Sequence, residues 1–98
     1  MSKIFPLSAP VKAHGEEVTE LELEEPTSKL VMALGYPYLA IDLGGGDPGI
    51  ELRPKVAGRY IMQLAKVPLT TVETLAIADL QAMHGWLMGF FGEDATGT

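Results

Sequence analysis

The sequence predicts an α+β fold: an N-terminal two-stranded antiparallel hairpin packed on about three α-helices in a single small domain, residues 1–98. Three observations predict it. Residues 3–25 alternate apolar and polar around a His-Gly turn. Apolar residues in 27–67 and 70–92 recur mostly at helical spacing. The chain has 98 residues, 47 % of them hydrophobic, enough for one core and no more.

In the hairpin, Phe5, Leu7, Ala9, Val11 and Ala13 alternate with polar residues and prolines. Period two marks a half-buried strand. Pro6 and Pro10 cannot donate to a ladder, so the strand is an interrupted edge strand. After His14-Gly15-Glu16, Thr19, Leu21 and Leu23 alternate with Glu20, Glu22 and Glu24. One face is greasy and the other acidic. An isolated hairpin is marginal in water, so another element must cover Phe5, Leu7, Leu21 and Leu23. The acidic face has a plain explanation in a solvated edge that resists aggregation.

The 27–67 stretch holds helices and a glycine-rich loop, 44–49. Thr27 or Ser28 can cap a short helix through Leu30, Val31 and Leu34, and Gly35 can stop it. Residues 36–50 are the least regular, yet Tyr36, Tyr38, Leu39, Ile41 and Leu43 are too apolar for a free linker. Part of that stretch should pack, with a mobile tip at Gly44–Gly49. Pro54 suits a first helical turn, and Ala57, Tyr60, Ile61, Leu64 and Ala65 follow at helical spacing. Arg53, Lys55, Arg59 and Lys66 lie on or beside this helix, so the chain is acidic at its hairpin and basic here. Pro68 ends the helix.

The C-terminal part, 70–92, opens with Thr70-x-x-Glu73, the spacing of a capping box for a single turn through Leu75. The last helix, ADLQAMHGWLMGFFG, spreads Leu80, Met83, Trp86, Leu87, Met88, Phe90 and Phe91 over roughly 200°. A core-facing stripe needs only about 100°. The helix is therefore greasier than its own packing requires. Residues 93–98 read as a polar, flexible tail.

Chemistry is scarce. The net charge is −6, a poor start for binding nucleic acid. There is no cysteine, which removes thiol catalysis and disulfides. No signal-peptide layout or membrane-length apolar run is present, which suggests a soluble intracellular protein with no membrane partner. Gly44, Gly46 and Gly49 satisfy G-x-G-x-x-G, but Pro54 follows too soon and residues 66–72 hold no acid for a ribose. DLGGG is also similar to the phosphate loops of actin- and Hsp70-like ATPases. Those are far larger, and Asp47 here stands where their threonine is expected. An acid there would repel phosphate. His84 lies in the apolar arc of the last helix with Met88 four residues on, so no helical metal pair exists. Ser2, Ser8 and Ser28 form no nucleophile elbow. No catalytic residue, metal ligand or cofactor site is expected, and the protein reads as a non-enzyme.

Three stretches carry a family resemblance. Val18 to Thr27 reads V-x-x-L-x-L-x-x-P-T, Ile61 to Pro68 ends A-K-V-P, and Leu75 to Phe91 opens L-x-x-x-D. Their order resembles the small tail assembly chaperones of long-tailed bacteriophages, the Mu-like and P2-like group. Two features depart from the pattern: Ala76 stands where a capping Ser or Thr is common, and the GGGDPG insert has no counterpart. The resemblance implies a non-catalytic protein of the host cytoplasm, absent from the mature virion. It would bind the tape measure protein and keep it soluble during tail assembly. Many such proteins are also made in a longer, frameshifted form. The tail tube protein is a second candidate partner, and a homo-oligomer is a further expectation. Against such a client the greasy last helix acquires a purpose. Trp86, Phe90 and Phe91 are the expected aromatic anchors, with Met83 and Met88 as adaptable contacts. The alternatives are an oligomerising virion component that uses the same helix, and a small ligand-binding domain that uses the glycine loop.

Overall fold

The computed structural model describes residues 2–42, 45 and 48–91. Its elements are β1 (Ser2–Ala13), β2 (Glu16–Glu24), α1 (Ser28–Leu34), β3 (Tyr38–Asp42), β4 (Pro48–Leu52), α2 (Pro54–Ala65), α3 (Leu69–Glu73) and α4 (Ile77–Met88). The fold is α+β, as the sequence predicts, with one addition. Residues within 27–67 expected to be helices and a loop include a second antiparallel hairpin, β3–β4, paired from Tyr38↔Leu52 to Asp42↔Pro48. Proline and glycine in this stretch mask its short alternation. The tip residues 43, 44, 46 and 47 and the tail 93–98 lie outside the described residues.

The long hairpin turns at His14 (φ 55°) and Gly15 (φ 81°), the two positive φ values of a type I′ turn. Pairing runs Ala13↔Glu16 to Val11↔Val18, breaks, and resumes from Pro6↔Glu20 to Ser2↔Glu24. The break falls between the two prolines that the sequence marks as interruptions. Phe5, Val11, Ala13, Leu21 and Leu23 are buried, while Glu16, Glu17, Glu20, Glu22 and Glu24 are exposed. Helices cover the greasy face: α2 packs on β2, and α3 and α4 pack on β1. Tyr60, Ile61, Met83, Leu87 and Leu23 form the fully buried centre.

Three polar ties lock this hairpin to the helices. Where β1 leaves the ladder, the Ser8 N–H donates to both oxygens of Asp79 (3.1 and 2.9 Å), and the Ser8 hydroxyl donates at 3.0 Å. Asp79 is the third residue of α4, and its carboxylate serves the strand instead of the helix end. The Thr71 hydroxyl donates to the Lys12 carbonyl at 2.6 Å. His14 Nε2 donates to the Lys66 carbonyl at 3.0 Å.

Helix ends follow the sequence in part. Thr27 caps α1 by accepting from the Leu30 N–H at 3.2 Å, and Gly35 (φ 81°) ends it. Pro54 opens α2, and Lys66 closes it in a left-handed conformation before Pro68 is reached. The capping box at Thr70 does not form: α3 begins after Pro68, which places Thr70 inside the helix. The last helix stops at Met88, so Phe90 and Phe91 belong to the turn beyond it. Gly89 at the C-cap keeps a right-handed helical backbone (φ −64°, ψ −18°), and its N–H donates to the Trp86 carbonyl at 3.2 Å.

Candidate functional site

The five sequence-predicted partner residues separate in space. Met83 is fully buried in the core and offers no surface in this structure. Trp86, Met88, Phe90 and Phe91 are half-buried. Trp86 stands edge-on to Phe5 of β1 (centroids 5.7 Å apart) and to Phe90 (4.9 Å). Phe91 turns the other way, against Tyr36 (5.7 Å), Tyr60 (5.9 Å) and Tyr38 (6.3 Å). All but the tilted Tyr38–Phe91 pair are edge-to-face, an arrangement that contributes about 0.5–1.5 kcal/mol per pair beyond its buried area. Much of the apolar surplus of α4 is thus spent inside the molecule.

What remains meets α1. Phe90 and Phe91 line a 420 Å³ groove with Pro26, Val31, Met32 and Tyr36. Met32 is 86 % exposed and Tyr36 54 % exposed, far more than apolar burial would leave them. The hydroxyls of Thr27 and Ser28 give the groove a polar edge. Met32 and Tyr36 carry no signal in the sequence that ties them to residues 90 and 91.

The base of β3–β4 holds Tyr36 in place beside this groove. The Tyr60 hydroxyl donates to the Gly35 carbonyl at 2.6 Å. The Pro37 carbonyl accepts twice, from the Arg53 N–H (3.0 Å) and from His84 Nε2 (3.0 Å). A carbonyl only accepts, so Nε2 of His84 carries a proton. His84 is a satisfied buried histidine, as its apolar surroundings suggest. Burial raises the Tyr60 phenol above its ordinary value, and nearby Tyr36 adds to the shift.

Little else invites chemistry. Among the described residues no group of three or more His, Asp or Glu could hold a metal ion. The glycine segment leads from one antiparallel strand to another, and a phosphate fingerprint needs a strand leading to a helix N-terminus. No helix among the described residues is long and apolar enough to cross a membrane.

The family model described as "Phage tail assembly chaperone proteins, E, or 41 or 14" matches residues 5–92. The chain belongs to this family. Comparison with curated proteins and with solved structures gives no match. The match runs from Phe5 in β1 through α4 and the Phe90–Phe91 turn, so the groove lies within the family's own extent. A tail assembly chaperone acts through protein partners. An exposed aromatic groove next to a well-packed core is a surface suited to that work.

Proposed function

We propose that this tail assembly chaperone binds the tape measure protein non-catalytically in the host cytoplasm, keeps it soluble while the tail forms, and is absent from the mature virion. The observation that carries this reading is the groove of Phe90, Phe91, Met32 and Tyr36. A long helical client exposes apolar stripes, and an aromatic groove covers such a stripe side chain by side chain. Trp86 supports Phe90 from behind, and Met88 contributes from its half-exposed position on α4. The tail tube protein is a second partner of the same assembly step.

Met32 gives the cleanest test. Its side chain is 86 % exposed, so Met32→Glu should leave the melting temperature close to wild type. The same change should abolish co-purification with a co-expressed tape measure protein. Phe90→Ala should weaken that binding by about 2 kcal/mol or more, the scale of an interface hot spot. Capture that survives both changes in a folded protein rules out this groove. A second reading, self-association as a virion component, draws on Leu39, Ile50 and Leu52, which are 47 %, 56 % and 55 % exposed on the second hairpin. Sedimentation, together with detection of the chain in purified particles, separates the two.

A further inference from the structure

A second groove shares no lining residue with the aromatic site. It encloses about 320 Å³ between α2, α3 and the start of α4. Val72, Leu75 and Leu80 form its floor, and Leu69 and Ile77 stand at its margin. Leu69 is 38 % exposed and Ile77 73 % exposed. Lys55 and Arg59 line the α2 side, four residues apart and so on one helix face. Both are exposed, and neither makes an ion pair or side-chain hydrogen bond among the described residues. Glu73 is the single acid in the lining. On a chain of net charge −6, with its glutamates massed on β2, a cationic rim beside an apolar floor is a local reversal of sign.

We propose that this groove docks an acidic amphipathic helix of a partner polypeptide, whose apolar residues enter between α2 and α4 while its flanking carboxylates meet Lys55 and Arg59. The charge pattern selects the partner. Two unpaired cations at an apolar margin attract carboxylates and repel a basic segment. The shape selects a polypeptide over a small molecule. Ile77 and Leu69 carry apolar surface from the groove's margin into solvent, where a compact ligand would leave much of it in water and a helix would cover it. The chain's own acidic strand does not meet the requirement, because Leu21 and Leu23 between its glutamates are buried under the helices. The surface is separate from the aromatic groove, so it stands whether or not that groove holds the tape measure protein.

Fluorescence anisotropy on the full chain tests it. The probe is a fluorescein-labelled peptide of about 15 residues, with leucines at i, i+3, i+4 and i+7 flanked by glutamates. A twin peptide carries lysines in place of the glutamates. The glutamate peptide should bind, and binding should weaken as salt rises. K55E combined with R59E should weaken it by about tenfold or more and give the lysine peptide measurable affinity. Ile77→Asn should weaken the glutamate peptide while the fold, read by thermal melting, is kept. Met32→Glu should change nothing here. Equal binding of the two peptides, or glutamate-peptide binding that survives K55E with R59E, overturns the proposal. So does loss of that binding on Met32→Glu, which would place the peptide in the aromatic groove.

Discussion

The two hairpins of this protein share a plan and differ in what covers them. Both are antiparallel, and both have a glycine with positive φ in the turn region, Gly15 (φ 81°) in one and Gly45 (φ 61°) in the other. β1–β2 buries Phe5, Val11, Leu21 and Leu23 under three helices. β3–β4 leaves Leu39, Ile50 and Leu52 half in water and is fixed mainly at its base, through Tyr60 and His84. Strand pairing is therefore a local matter, while the stability that a strand contributes depends on the element packed upon it.

The sharpest way to break the comparison is to truncate one leucine-sized side chain in each hairpin. Leu23→Ala empties a fully buried position and should cost about 2–5 kcal/mol. Ile50→Ala, at 56 % exposure, should change stability by less than about 0.5 kcal/mol. Urea denaturation of the two variants side by side gives the contrast directly. Equal losses would mean that the second hairpin is as integral to the core as the first.

A smaller effect is expected where polar ties replace packing. Asp79→Ala removes the carboxylate that receives the Ser8 N–H and hydroxyl and should cost about 1.5–3 kcal/mol, the range for hydrogen bonds to a charged group. Amide hydrogen exchange should show faster opening at Ser8 than at Leu21. The polar tie at the second hairpin's base should matter less than the one at Asp79. Tyr60→Phe deletes the bond to the Gly35 carbonyl at a cost of about 0.5–1.5 kcal/mol. Because the folded-state phenol titrates above its ordinary value, wild-type stability from this group is complete below pH 10.0 and falls as pH rises through the raised value. The phenylalanine variant should lack that part of the alkaline loss. An unchanged alkaline profile in Tyr60→Phe would show that the phenol's burial does not govern it.

The same contrast explains what could be read in advance. The long hairpin is legible because Glu20 to Glu24 alternate strictly on β2, its turn is His-Gly, and Pro10 falls where the ladder breaks. The short hairpin was hidden because five-residue strands flanked by proline and glycine carry too little period to register. Thr70 suggested a cap by spacing alone, but Pro68, with its extended backbone (ψ 154°), already starts α3. Phe90 and Phe91 continue the apolar pattern of α4 past its real end, since periodicity reports burial and not backbone shape. The groove itself was only half visible. Two of its walls lie in the turn after α4, whereas Met32 and Tyr36 come from residues more than half the chain away.

The ties from Ser8 to Asp79 and from Lys12 to Thr71 link residues 71 and 59 positions apart. That separation has a consequence for synthesis. On the ribosome the β1–β2 hairpin emerges before the helices that cover it. Leu21 and Leu23 must therefore wait uncovered while α2 and α4 are still being made. During that interval the row of glutamates on β2 is the nascent chain's own protection, since charge on an open strand opposes pairing with a neighbouring chain.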